Sequence, residues 1–320
     1  MSNSSEVTTG EAIHIRGLSH HFGEKQALKD IDWVLPQKGI VGLVGPNGAG
    51  KTTLFSLIAG FLTLQKGTIS VLGESSPVAS ALMGRVGVMP QDAIFARDIS
   101  IFDQLLFLLK LDGYQGEVAE QRVREVMQRV GLETELFRGA AVLSHGMGKR
   151  LGVAQAILAE PEIVLLDEPT AGLDPANARQ IRHLMRELAE RSLVIVSSHN
   201  LLELQDLIDS VGVIVGGELI SSGTVEEVTR RARRFEIHLD AKVEVELVVE
   251  VKQLSHVNEV EFSDHQLTVS LNADQEDGLN GALSQLYRFL IEKGQPPHEV
   301  REGASLEQAY LKLTGEDQSS

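Results

Sequence analysis

The chain contains no cysteine in 320 residues, so neither a disulfide framework nor thiolate chemistry is open to it, a usage that fits a reducing compartment. Long apolar runs are also missing. No uninterrupted stretch approaches the roughly 18 residues that cross a bilayer as a helix. Residues 1–11 are polar and lack the apolar centre of a secretory signal, so they read as a loose disordered tail, as do residues 315–320. Positive charge is scarce: 29 Lys and Arg stand against 45 Asp and Glu, a formal net charge of −16. Binding to bulk nucleic acid needs clustered basic residues, so no nucleic-acid partner is expected. A locally basic nucleotide pocket remains compatible with this balance. Aromatic residues make up only 4%. The rest is ordinary for a globular protein, with 42% apolar and 23% charged residues, and the length suits about two domains.

Against this background one stretch stands out: Gly45-Pro46-Asn47-Gly48-Ala49-Gly50-Lys51-Thr52, followed by Thr53. The apolar run Ile40–Val44 precedes it and Leu54-Phe55-Ser56-Leu57-Ile58 follows. A buried strand, a glycine-rich loop and a helix start are the context of a triphosphate-binding loop. Without a Cβ, Gly45, Gly48 and Gly50 let the backbone turn tightly and approach phosphate oxygens. The exposed N–H groups and the helix dipole then face the anion. Lys51 can reach the β- and γ-phosphates, and the Thr52 hydroxyl can hold Mg2+.

Hydropathy patterning arranges the rest around that loop. Residues 12–39 read as short strands with turns at Gly17, Gly23-Glu24 and Pro36. Helices are expected over 51–61, 99–112, 116–130, 144–158 and 175–190, and strands over 68–72, 85–89, 163–166 and 193–197. Alternating strands and helices imply an α/β domain with a mainly parallel central sheet, and the strand-rich beginning an antiparallel part. Past the basic run Arg230–Arg234, read as a solvated linker, the character changes. Strands at 235–239, 257–262, 267–271 and 298–301 flank a helix at 277–293. Residues 243–251 fit both alternation and a helix face; a helix completes a β-α-β-β-α-β, ferredoxin-like α+β order. A final helix is expected over 305–313.

A second motif is Ile163-Val164-Leu165-Leu166-Asp167-Glu168. An apolar strand ending in two carboxylates places them at the carboxyl edge of the sheet, beside the phosphate loop. Asp167 suits Mg2+, and Glu168 suits the attacking water as general base. Leu143-Ser144-His145-Gly146-Met147 lies ahead of that strand, and with it the chain resembles the ATP-binding subunits of ABC transporters. Further matches follow in the family's order: Phe22, Gln91 in Val88-Met89-Pro90-Gln91, Ala171-Gly172-Leu173-Asp174, and His199 in Ser197-Ser198-His199.

The resemblance covers roughly residues 12–230 and implies a P-loop NTPase of ABC type that binds and hydrolyses ATP with Mg2+. It implies that Phe22 stacks on adenine, and that Gly45, Pro46, Asn47, Gly48, Ala49, Gly50, Lys51, Thr52 and Thr53 hold the phosphates. Thr52, Gln91 and Asp167 would serve the metal, and Lys51, Gln91, Glu168 and His199 the hydrolysis. Two such subunits pair head to tail, so Ser144 and Gly146 would cap the ATP of a second copy and Asp174 would sit at the dimer interface. The partners implied are that second ATP-binding subunit and a separate transmembrane permease. They place the chain peripherally at the cytoplasmic face of the cell membrane.

The region 235–314 resembles the C-terminal extension of exporter subunits, a likeness carried by Ser305-Leu306-Glu307-Gln308-Ala309-Tyr310-Leu311-Lys312-Leu313-Thr314-Gly315. A soluble ABC-type ATPase unlinked to transport is an alternative function. Those relatives carry tandem ATPase units, long coiled coils or zinc modules, and this chain shows none of them. A nucleotide-sensing scaffold with little turnover is a third class, and Glu168 and His199 weigh against it. The signature departs from the family's pattern at His145 and Met147 but keeps Ser144 and Gly146, so the site is expected to remain competent. A rival expectation is pH sensitivity through the imidazole. ATPase profiles of the native chain and His145→Gly between about pH 6 and 8 should superimpose. Divergence there would instead support a pH-sensing His145.

Overall fold

The described residues open on two long strands, in which apolar residues alternate at Ile13 and Ile15 and at Ile31, Trp33 and Leu35. β1 (Glu11–Phe22) and β2 (Lys25–Pro36) form an antiparallel hairpin in which Leu28, Ile31, Trp33 and Leu35 point inward. The computed structural model describes residues 10–199, 204–230, 234–271 and 276–302. Gly23 turns the hairpin at φ +59°. Gly17, expected as a turn, instead lies inside β1 as an irregularity in the register between Ile15 and Leu18. The pairing continues past it because its N–H donates to Asp32 Oδ1 at 2.8 Å, which ties the extra residue down.

β3 (Gly39–Val44) leads through the glycine-rich loop into α1 (Lys51–Ile58). The helix stops short of the expected Phe61. Gly60 turns left-handed at φ +70°, and a Cβ there would meet Val78 backbone at 2.6 Å. β4 (Lys66–Val71) returns antiparallel to β1, and β5 (Glu74–Ser75) closes a sheet of order β2-β1-β4-β5.

Next come β6 (Val86–Met89), α2 (Ile101–Leu111), α3 (Gly116–Arg129), α4 (His145–Ala156), β7 (Ile163–Asp167), α5 (Pro175–Ala189) and β8 (Leu193–Ser198). β9 (Ser210–Val215) and β10 (Glu218–Thr224) were not expected from the sequence and extend the second sheet, whose order is β10-β9-β3-β8-β7-β6. Its pairs from β9 to β6 are parallel. β7 and β8 are buried at every position, as strands covered on both faces must be. α1 buries Leu54, Phe55, Leu57 and Ile58 in one core with Ile13, Trp33, Leu43 and Ile195. In α2, Ile101, Leu105 and Leu109 face the core, whereas Phe107 and Leu111 are exposed.

The chain divides into two compact units, Met1–Gly223 and Thr224–Ser320. The division falls one helix earlier than the basic run, so α6 (Val225–Arg230) groups with the second unit. That unit continues with β11 (Arg234–Leu239), α7 (Val245–Val251), β12 (Val257–Ser263), β13 (Gln266–Leu271), α8 (Glu276–Glu292) and β14 (Pro297–Glu302). Its strands are antiparallel in the order β12-β13-β11-β14, the ferredoxin-like arrangement. α7 settles the ambiguous segment: Leu247, Val248 and Val251 are buried while Val245 and Val249 are exposed, a helical face rather than alternation. Phe235, Ile237, Leu267, Val269, Leu286 and Leu290 belong to this unit's own core. The expected tails and the helix over 305–313 lie outside the described residues, apart from Gly10 and Glu11. Among the described residues no helix is long and apolar enough to cross a membrane.

Candidate functional site

Three glycines shape the loop after β3, each for a different reason. A Cβ on Gly45 would stand 2.1 Å from the Ile214 carbonyl oxygen of β9, so the packing of the loop on its neighbouring strand demands glycine here. This packing requirement, made by a residue remote in sequence, stands beside the tight turn expected of Gly45. Gly48 has open space around it but adopts φ +79°. Gly50 combines φ +109° with a Cβ position 2.7 Å from the Ala27 carbonyl oxygen. Gly50 is also the N-cap of α1, and no side chain caps that helix end. Its first N–H groups are therefore left for a ligand.

Lys51 is buried, and its Nζ donates to the Gly45 carbonyl at 2.7 Å and the Pro46 carbonyl at 3.1 Å. Burial lowers its pKa, an effect that Glu168 and Asp167 oppose. Pro46 also accepts the Ala49 N–H at 3.2 Å, which closes the loop on itself.

The carboxylates at the end of β7 face this loop. Thr52 Oγ1 donates to Asp167 Oδ2 at 2.7 Å, and the Ser197 hydroxyl of β8 binds the other Asp167 oxygen. The same hydroxyl accepts the Glu168 N–H at 3.1 Å. Glu168 is buried and held in a left-handed conformation, φ +50°. His199 Nδ1 lies 2.9 Å from Glu168 Oε1. The position of Ser197 beside Asp167 follows from strand register alone, because β7 and β8 pair in parallel with these residues opposite. Sequence reasoning missed its role. It also missed Lys149 of α4, buried with its Nζ donating to the carbonyls of Gln91 and Glu168 at 2.8 and 3.3 Å. A lysine on the inward face of a helix was the one available signal.

A cleft of about 440 Å³ joins Phe22, Asn47, Gly48, Gly50, Lys51, Thr52, Thr53, Gln91, Asp167 and Glu168. That volume suits a small-molecule ligand. Phe22 ends β1, half exposed, with the buried His20 ring set edge-on at 4.8 Å. Gly45, Pro46 and Ala49 support the loop without lining the cleft, and His199 reaches it through Glu168.

Ser144, Gly146 and Asp174 are not brought into this cleft. Ser144 caps α4, its Oγ accepting the Met147 N–H at 3.3 Å. The α4 start packs on the loop before α5: a Cβ on Gly146 would be 3.2 Å from Leu173, and one on Gly172 would be 3.3 Å from the exposed His145 ring. Asp174 caps α5 through the N–H groups of Asn177 and Ala176, both at 3.0 Å. The Asn177 backbone and side-chain donors hold its carboxyl below the usual aspartate range.

The donor set fits a magnesium nucleotide. Thr52 and Asp167 offer adjacent hard oxygens, the ligands Mg2+ prefers. Lys51 and the uncapped start of α1 offer a cation and free N–H donors for phosphate. Residues 28–171 match the family described as ABC transporter. The chain is 36% identical over 226 residues to the uncharacterized ABC transporter ATP-binding protein YdbJ of Bacillus subtilis strain 168, covering 69% of this chain and 72% of that one. It belongs to the ABC transporter ATP-binding proteins. The bacitracin transport ATP-binding protein BcrA of Bacillus licheniformis is 30% identical over 307 residues, 95% of this chain and 97% of its own. The likeness to that ABC protein therefore runs through both compact units. An ATP-binding cassette solved as a dimer in a post-hydrolysis state with ADP and Pi shares the fold. Its TM-score is 0.61 at 20% identity, covering 66% of this chain and 98% of that one. This ABC protein is thus a nucleotide-binding ATPase subunit of a transporter.

Proposed function

We propose that this chain powers an exporter: MgATP-driven closure of a dimer, and hydrolysis that reopens it, move a separate transmembrane subunit. The observation that carries this is the linked set Thr52–Asp167–Ser197–Glu168–His199 beside the phosphate loop. In it a pair of hard oxygens sits next to a buried carboxylate that a histidine orients. Gly48 to Thr53 and Lys51 bind the phosphates, and Phe22 stacks on the base. Thr52 and Asp167, with Gln91, hold Mg2+, which neutralises phosphate charge when bound. Glu168 takes the proton of the attacking water, and His199 orients the Glu168 carboxylate.

Ser144 and Gly146 lie outside the cleft of their own chain, which suits a role in capping the ATP of a second copy. Asp174 then stands at the dimer interface while it caps α5. The first compact unit, ending at Gly223, is the ATP-binding domain and the second, from Thr224, an accessory domain. The chain works peripherally at the cytoplasmic face of the membrane. Export as the direction rests on the likeness of residues 235–314 to the C-terminal extension of exporter subunits; a relative named for bacitracin transport is also similar over 95% of this chain.

The test is purification of the tagged chain from detergent-solubilised membranes of its source cells, with phosphate release measured on the product. One integral membrane protein in stoichiometric amount and Mg2+-dependent phosphate release are expected. Turnover without any membrane partner would favour an ATPase unlinked to transport. A partner without turnover would favour a nucleotide sensor.

A further inference from the structure

Lys149 has no part in the assignments above, yet it is one of the most enclosed charges in the first unit, 7% exposed. It sits on α4, five residues after Ser144. Among the described residues no ion pair to it occurs. A buried ammonium is costly without strong acceptors. The acceptors found are two backbone carbonyls, of Gln91 at 2.8 Å and Glu168 at 3.3 Å, each on a segment that lines the nucleotide cleft.

The second acceptor is significant because of the backbone it belongs to. Glu168 has φ +50°, a region unfavourable for any residue with a Cβ. Such a conformation persists only where its surroundings hold it. Three bonds do so here. The Glu168 N–H donates to Ser197 Oγ at 3.1 Å. Its carbonyl accepts the Ala171 N–H at 3.4 Å and Lys149 Nζ at 3.3 Å. Lys149 provides the only charged donor of the three.

We propose that Lys149 is a positioning residue for hydrolysis: it clamps the Glu168 carbonyl so that the carboxylate stays aimed into the cleft, and fixes the Gln91 segment opposite with the same ammonium. The inference rests on Glu168 being the general base. Lys149 does not itself line the cleft and acts through the Glu168 and Gln91 backbones, so its loss is expected in kcat rather than in KM.

Lys149→Met keeps the length and removes every donor. Its kcat for ATP is expected to fall on the order of ten- to a hundredfold, the scale of a misplaced reacting group, with KM within about twofold. Lys149→Gln retains an amide donor pair and should recover part of the loss. The decisive measurement is a double-mutant cycle with Glu168→Gln. Once the base is gone its orientation no longer matters, so adding Lys149→Met should cost about twofold or less. Thermal melting and fluorescent-ATP binding identify a variant that has not folded. Should Lys149→Met fail to fold, the cycle is run with Lys149→Gln. An unchanged kcat, a loss confined to KM, or an undiminished fractional loss in the Glu168→Gln background would each overturn the proposal. Normal turnover of Glu168→Gln alone would refute the base assignment itself, an outcome distinguishable from all of these.

Discussion

Glu168→Gln is expected to lower ATP turnover on the order of a hundredfold or more while ATP still binds. The amide has almost the shape of the carboxylate, so the residue's contact with His199, 2.9 Å from Glu168 Oε1, can survive. What is lost is basicity. Glu168 is buried, which removes competing bulk water from the base, and its backbone is held by Ser197 and Lys149. The other carboxylate that lines the cleft, Asp167, is already bonded through both oxygens to Thr52 and Ser197 and so is not free to replace it. Phosphate release should collapse, while titration with a fluorescent ATP analogue should give an affinity within a few-fold of the native one. Turnover within a few-fold of native would remove Glu168 from the role of base.

Lys51→Ala should act on binding instead. In the structure the ammonium is folded over the loop onto the Gly45 and Pro46 carbonyls, ready at the start of α1. Its charge lines the same cleft as Gly48, Gly50 and Thr52 of the loop and helix start. Each charge-assisted hydrogen bond contributes about 1.5–3 kcal/mol, so loss of two weakens ATP binding on the order of a hundredfold or more. The substitution also removes the donor to the Gly45 carbonyl and leaves the Pro46 carbonyl with the Ala49 N–H alone, which loosens the loop. Calorimetric titration with ATP would measure the change. A dissociation constant within about threefold of native would mean that Lys51 does not hold the triphosphate.

Much of the cleft was legible because its chemistry is contiguous in the chain. Gly48 to Thr53 form one turn and one helix start, and Asp167-Glu168 end one apolar strand. Short-range geometry suffices to bring such residues together. The reasons behind individual residues were less legible. Gly45 is required by the carbonyl of Ile214, which is remote in sequence and lies on a strand that patterning did not reveal. Gly17 looked like a turn because glycine punctuates chains, but a single hydrogen bond to Asp32 absorbs it into a strand. α1 ends early because Gly60 must pass Val78 closely, again a contact made in space.

By itself the sequence determined the two-part α/β and α+β organisation, the phosphate loop, the paired carboxylates and the order of the family's motifs. All of these follow from local periodicity, glycine conformational freedom and residues adjacent along the chain. Only the tertiary structure decided which groups act together. Parallel register sets Ser197 beside Asp167. The left-handed turn after β7 brings Glu168 within reach of His199, and the packing of α4 buries Lys149 against Gln91 and Glu168. Likewise it separated Ser144 and Gly146 from the cleft of their own chain. The physical reason is the range of the interactions: a helix start or strand end is fixed by neighbours in sequence. A hydrogen bond between β7, β8 and α4 exists only after the sheet has paired and the helix has packed on it.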